Sequence, residues 1–342
     1  MKYMFDWKKD INKKELDKAI EVIKNNGLVL VPTETVYGIA ANALEDEACK
    51  KIFEAKGRAQ DNPLIVHVSD KNMLKSLVKN ISTIEEKLID AFMPGPFTLI
   101  LEKNESICKT ASAGNSTIGI RMPSNSIIHE LIKESNIPLA APSANISGRP
   151  SGTNVQDIFE ELKDKMDCII DGGNCKIGIE STVVKVIDGV PTILRPGFIT
   201  EDDIKKAVGK VALSSNLFKR IEENQSVESP GMKYRHYAPK TKCVLVENSE
   251  NQIDIINNIL KENENACVVG FSEDKDYIRT KKFIDLGSKN NLEKIAHNIF
   301  SALREIDKEN VTLAIIEGVE KKGLGLSIMN RVVRACENNI IH

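Results

Sequence analysis

Asp188-Gly189 stands between two apolar runs, 183–187 and 191–194. Asp-Gly supplies the two left-handed residues of a tight hairpin turn, so the flanking runs are expected to pair as antiparallel strands. This excludes a simple parallel wound sheet for the first part of the chain. Further strand-like apolar runs fall at 28–31, 64–68, 97–101, 117–120, 138–141 and 168–170, with helical patterns between several of them. A mixed, twisted open sheet carrying helices is the architecture these runs predict.

The first helix follows Asn12, with Leu16, Ala19, Ile20 and Ile23 on one face and Gly27 placed to supply a left-handed stop. Thr200 and Asp203 have the spacing of a capping box and open a short helix. The pattern of the first domain fades near Ala212. From residue 241 onward strand and helix alternate regularly, which predicts a smaller Rossmann-like α/β domain with a parallel sheet. Gly323-Leu324-Gly325 precedes its last helix, but Ile328 occupies the third glycine position of the dinucleotide fingerprint. A tight turn before a helix is the better reading.

The expected organisation is therefore 1–212 as one domain, 213–240 as a linker and 241–342 as a second domain. A chain of 342 residues is long enough for two cores. The linker is poor in apolar periodicity and ends in Lys233-Tyr234-Arg235-His236-Tyr237-Ala238-Pro239, a dense polar and aromatic cluster. A linker of that length tends to serve a function.

Charge narrows the function classes. A formal net charge of -2 argues against a broad surface for coating nucleic acid, while leaving room for a local basic pocket. The charged start, with no apolar leader, and the lack of any long apolar stretch predict a cytoplasmic protein without a membrane span. Seven scattered cysteines without Cys-x-x-Cys spacing read as reduced packing residues.

Lys56-Gly57-Arg58, Ser143-Ala144-Asn145 and Arg195-Pro196-Gly197 each sit where an apolar or helical pattern ends, and Arg121 ends the run 117–120. Fixed cations of this kind, with glycine turns and small donors, suit the oxygens of a polyphosphate or a carboxylate. Ser143, Asn145, Ser147 and Ser151 surround Gly148-Arg149-Pro150, a loop that offers hydroxyl and N–H donors to phosphate or ribose. Thr35 and Tyr37 follow a buried strand and offer hydroxyls to a small amino-acid ligand; turn capping accounts for Thr35 equally well. His67 lies inside an apolar run, where a satisfied core histidine is the commoner outcome. Glu180 and Ser181 read as ligand groups or as the polar start of a strand. No Walker loop, nucleophile elbow or His-Glu-x-x-His is present, so any catalysis rests on positioning and charge stabilisation.

Taken in order, these motifs resemble one family. They are Pro32-Thr33-Glu34-Thr35-Val36-Tyr37-Gly38, Lys56-Gly57-Arg58 with Asn62-Pro63-Leu64, Pro94-Gly95-Pro96, Ile118-Gly119-Ile120-Arg121, Pro142-Ser143-Ala144-Asn145 and Ser181-Thr182-Val183. The segment 229–239 and the stretch 323–331 add to the likeness, whereas 242–322 matches only in length and pattern. The chain resembles the two-domain form of the YrdC-like proteins, the L-threonylcarbamoyladenylate synthases of tRNA modification. The resemblance implies a YrdC-like first domain and a nucleotidyltransferase that joins L-threonine, bicarbonate and ATP into threonylcarbamoyl-AMP, releasing pyrophosphate.

It also implies roles. Arg58, Asn62, Thr117, Ser143, Ser151, Arg195 and Tyr237 would bind ATP, with Lys56, Asn145 and His236 joining them, and Lys56 and Arg58 would be catalytic. Thr35, Tyr37, His67, Arg121, Ala141 and Ser181 would hold threonine. Mg²⁺ would be the cofactor, held mainly by the ATP phosphates, and the product would pass to a tRNA threonylcarbamoyltransferase machinery, with tRNA binding at most weak. Rejection of serine would rest on one methyl group, worth about 1 to 3 kcal/mol. The linker, with its Arg235-His236-Tyr237 cluster, would close over the pocket as a lid. Two other classes remain beside this reading: an RNA-binding module and a nucleotide sensor without turnover.

Overall fold

The computed structural model describes residues 1–218 and 236–342. The chain divides into two compact units. One comprises Met1–Ser147, Gly152–Lys176 and Glu180–Tyr234; the other comprises Gly148–Ser151, Ile177–Ile179 and Arg235–His342. Residues 219–235 lie outside the described residues, and with them most of the expected linker, including Ser229-Pro230-Gly231 and Arg235.

The first unit contains β1 (Tyr3–Asp6), β2 (Val29–Val31), β3 (Gly38–Asn42), β4 (Ile65–His67), β5 (Phe97–Glu102), β6 (Thr117–Arg121), β7 (Leu139–Ala140), β8 (Cys168–Asp171), β9 (Thr182–Ile187), β10 (Val190–Arg195) and β11 (Ala212–Leu213). Among the described residues they form one mixed sheet in the order β1-β8-β2-β3-β7-β4-β6-β5-β9-β10-β11. The β9–β10 hairpin turns through Asp188 (φ 49°) and Gly189 (φ 74°), so both central residues are left-handed, as a tight hairpin requires.

Local chemistry fixes the helices that cover the sheet. Asn12 caps the helix Lys13–Lys24 by accepting from the N–H groups of Lys14 and Glu15. This helix ends otherwise than Gly27 suggested. Asn26 takes the left-handed conformation (φ 57°), while Gly27 is required because a Cβ there would stand 2.6 Å from Val22 Cγ1. The capping box of Thr200 and Asp203 forms at the start of the helix Glu201–Val208. Leu30, Ile39, Ile52, Phe53, Val66, Leu99 and Ile120 fill one face of the sheet, and Val29, Val31, Ile23, Ile128 and Ile170 belong to the core on the other. Each such side chain contributes about 1.5 to 3 kcal/mol when fully buried.

The second unit contains β12 (Lys242–Val246), β13 (Ala266–Gly270), β14 (Phe283–Asp285), β15 (Leu313–Glu317) and β16 (Ile340–Ile341), ordered β14-β13-β15-β12-β16 with every pairing parallel. The helices Gln252–Glu262, Leu292–Ile306 and Leu324–Ala335 connect them. Gly323 (φ 53°) and Gly325, where a Cβ would meet Glu320 O at 2.1 Å, make a tight turn before the last helix.

Asp307, at the end of Leu292–Ile306, is a hub within this unit. Its carboxylate accepts from Arg149 Nη2 at 2.7 Å, from Lys240 N at 2.8 Å and from Thr241 N at 3.0 Å. Burial alone would raise its carboxyl; these donors outweigh that and hold it below the ordinary carboxylate range. All seven cysteines are free and buried. No helix among the described residues is long and apolar enough to cross a membrane.

Candidate active site

Strand register gathers one set of side chains in the first unit. β4 and β6 run parallel with His67 opposite Arg121, so both last residues lie side by side. β5 runs antiparallel to β6 and parallel to β9, and β10 antiparallel to β9. The alternation brings the ends of β6 and β10 beside the starts of β5 and β9, where Arg121, Arg195, Thr98 and Ser181 stand.

Hydrogen bonds join this set. Arg195 donates through Nε and Nη2 to Ser181 O (3.2 and 3.0 Å) and through Nη2 to Ser181 Oγ (3.1 Å), while the Ser181 and Thr98 hydroxyls are 2.8 Å apart. Gly197 permits this fold-back, since a Cβ there would meet Thr182 N at 2.3 Å. Arg121 donates through Nη1 to Thr35 Oγ1 (2.9 Å) and through Nε to Gly95 O (3.3 Å). His67 is buried with Nδ1 3.3 Å from Ile65 O. Burial and then the Arg121 charge push its pKa down to about 3, so the imidazole is neutral at physiological pH.

The segment Thr33–Tyr37 leads from this set to a second one. The Thr33 hydroxyl accepts from Thr35 N and Val36 N and donates to Val36 O, which folds the segment into a tight turn. Gly38 then bridges to Ser143, and Ala141 N donates to Ile65 O (3.0 Å), which sets Ala141 beside the start of β4. Tyr37, expected to contact threonine, is anchored through its hydroxyl. Its hydroxyl donates to Gly173 O (2.8 Å) and accepts from Gly172 N (3.0 Å), and burial raises its pKa well above the ordinary phenol value.

Lys56 organises the second set. The helix Asp46–Lys56 stops at Gly57 (φ 59°), and the Lys56 ammonium donates to Ser143 O, to Asn145 O (2.9 Å) and to Asn145 Oδ1 (3.3 Å). Ser143 Oγ donates to the same Oδ1 (2.8 Å). Arg58 bends back, donating through Nη2 to Asn62 O (3.0 Å) and Pro63 O (3.2 Å). Thr117 lies two residues before the Gly119 that pairs with Ile65, and so at the start of β6, on the side where Asn62-Pro63 leads into β4. Asn62 is fully buried, yet among the described residues its side-chain amide has neither donor nor acceptor partner. Unmet buried groups of this kind cost about 1 to 3 kcal/mol each, so a polar ligand that satisfied them would be stabilised.

The remaining expected residues belong to the second unit. Ser151 is fully buried in the short segment Gly148–Ser151, and Gly148 O accepts from Ala238 N (2.9 Å). Tyr237 has a left-handed backbone (φ 63°), a ring 5.1 Å from Phe300 and the Arg331 guanidinium 5.9 Å over its face. The His236 ring stands 5.5 Å from that of Tyr237. Glu34, whose carboxylate lies 2.6 Å from Arg121 Nη2, was not singled out by the sequence. Its position between two threonines in a turn was the available signal.

Among the described residues no group of three or more His, Cys, Asp or Glu side chains is placed to hold a metal ion. The donor-rich set around Lys56, Arg58, Asn62 and Ser143 suits phosphate oxygens, and hence a divalent ion that arrives with them.

Comparison with known proteins agrees in both units. The sequence profile described as "Telomere recombination", for Sua5, YciO and YrdC, matches residues 21–197, and that described as "Threonylcarbamoyl-AMP synthase, C-terminal domain" matches 199–336. The threonylcarbamoyl-AMP synthase of Pyrococcus abyssi is 42% identical over 94% of this chain and 94% of its own length. That of Bacillus subtilis is 37% identical over 96% and 95%. The crystal structure of P. abyssi Sua5 complexed with L-threonine superposes with a TM-score of 0.92 at 39% identity, covering 99% of this chain and 98% of that one. With both profiles matched in order and full-length likeness on either side, the chain belongs to the threonylcarbamoyl-AMP synthase family in its two-domain form.

Proposed function

We propose that this enzyme condenses L-threonine, bicarbonate and ATP into threonylcarbamoyl-AMP with release of pyrophosphate, and that the product supplies the threonylcarbamoyl group for tRNA modification in the cytoplasm. The observation that carries this reading is the buried Arg121 guanidinium, directed at Thr35 and set beside the neutral His67. A guanidinium in a dry site is the natural partner of an amino-acid carboxylate.

In this reading Arg121 takes the threonine carboxylate, and Thr35, Ser181 and His67 offer polar contacts to the rest of the molecule, with Ala141 against its carbon chain. Arg58, Asn62, Thr117, Ser143, Ser151 and Arg195 hold ATP, with Lys56 fixing the 143–145 loop that faces it. Mg²⁺, carried on the phosphates, supplies neutralising charge. The threonine amine becomes a carbamate, whose oxygen attacks the α-phosphorus while pyrophosphate leaves. The chain's own work is to hold two anions in line and to balance the charge that develops.

The linker 213–240 serves as a lid that keeps water from the mixed anhydride, with His236 and Tyr237 at its end. The second unit is assigned to orienting that lid or to docking partners, and the product passes to a tRNA threonylcarbamoyltransferase. Pyrophosphate release measured with each of threonine, bicarbonate, ATP and Mg²⁺ omitted in turn tests the reading. Loss of signal in every omission is expected, and release that is independent of threonine would overturn it.

A further inference from the structure

Glu34 is buried, 6% exposed, and its Oε1 lies 2.6 Å from Arg121 Nη2. The contact is an ion pair that lies off the direction of an N–H bond. Among the described residues neither Glu34 oxygen accepts a hydrogen bond, and Arg121 Nη2 donates none. Arg121 is otherwise satisfied through Nε and Nη1 by Gly95 and Thr35. A buried carboxylate and a buried guanidinium therefore stand side by side, each with hydrogen-bonding capacity in hand. Buried charges are normally hydrogen-bonded as well as paired, so this arrangement points to a ligand that completes both.

We propose that Glu34 binds the α-ammonium of threonine and then takes its proton, acting as the general base of carbamate formation. This rests on the reading of Arg121 as the carboxylate site. An α-amino acid carries its carboxylate and ammonium on one carbon, so its two charges present to a protein with the closeness that Glu34 and Arg121 show. The charge pairing reverses on binding: carboxylate to guanidinium, ammonium to carboxylate.

The proton transfer is needed because an ammonium has no lone pair. One N–H bond of threonine breaks as an O–H bond forms on Glu34, and the freed amine attacks the bicarbonate carbon. Threonine ammonium and bicarbonate thus give the carbamate, one water and one proton, which Glu34 carries and later releases to solvent. Titratable groups linked to the pair include His67, neutral beside Arg121, and the Cys175 thiol, which burial pushes up to about 12. At so low a pKa His67 is a weak base and the Cys175 thiol keeps its proton, while Glu34 is the carboxylate set against Arg121.

Binding of L-threonine and of 3-hydroxybutanoate, the same molecule without its amine, to the full chain provides the test. The wild type is expected to prefer threonine at least ~10-fold, and Glu34→Gln to bind both alike with its affinity for 3-hydroxybutanoate unchanged. Turnover of Glu34→Gln is expected to fall about 10²-fold or more at neutral pH and to recover as pH rises toward deprotonation of threonine itself. Glu34→Asp keeps the charge one methylene farther away and is expected to retain a reduced preference, which preserves the test where glutamine prevents folding. Glu34→Gln that prefers threonine as strongly as the wild type, or turns it over with an unchanged pH profile, overturns the inference. A wild type that binds neither compound overturns the amino-acid site itself.

Discussion

Arg195 grips Ser181 at two points, the carbonyl oxygen through Nε and Nη2 and the hydroxyl through Nη2. The fork of a guanidinium makes this possible, and a lysine cannot reproduce it. Arg195→Lys is therefore expected to lower kcat/KM for ATP about 10- to 100-fold, since each charge-assisted bond contributes about 1.5 to 3 kcal/mol. Pyrophosphate release against ATP concentration measures this, with thermal unfolding as the control for folding.

Lys56 binds the 143–145 loop from within. Lys56→Ala would leave Ser143 O, Asn145 O and Asn145 Oδ1 without that donor, and a loss of about 2 to 4 kcal/mol in stability is expected. The ATP KM is expected to rise with it, because the loop loses its shape. Chemical denaturation and steady-state kinetics of the same variant test both parts.

His67 makes stability depend on pH. Its pKa is about 3 when folded against an ordinary 6.5, so the unfolded chain binds the extra proton between those values. The neutral form's contribution is complete above about pH 6.5 and is lost as pH falls toward 3, amounting to about 2 kcal/mol by pH 5. Urea unfolding at pH 7 and pH 5 should show this difference in the wild type, and His67→Gln should abolish it.

Tyr237 is held by Phe300 and Arg331 in a left-handed conformation that costs a non-glycine residue about 1 to 2 kcal/mol. If it serves the lid, Tyr237→Ala should raise the ratio of AMP released to threonylcarbamoyl-AMP captured by the transferase. An unchanged ratio would remove Tyr237 from that role.

Features set by neighbouring residues were legible in the sequence. Asp188-Gly189 gave the hairpin, Thr200 with Asp203 gave the capping box, and the alternation after residue 241 gave the parallel sheet, because each depends on a few adjacent side chains. Features set by distant partners were not. β1 is called into being by β8, more than a hundred residues away, and β3 consists of the small residues Gly38-Ile39-Ala40-Ala41-Asn42, which carry little strand signal alone. The cations of the site could be named from their turns, but their partners could not. Nothing near Lys56 in the chain announces Ser143 and Asn145, and nothing near Arg121 announces Glu34.

Gly178 φ is 88°, and a Cβ there would fall 2.4 Å from His297 Cα. Ile177–Ile179 thus nests against the helix Leu292–Ile306, as Arg149 does against Asp307 at its end, although both segments lie well before residue 200. Cutting the gene at a tidy boundary after the first profile would therefore sever two loops from the surface that shapes them. A shortened product should be sluggish, because Gly148–Ser151 loses its anchorage and His236 and Tyr237 leave with the second unit.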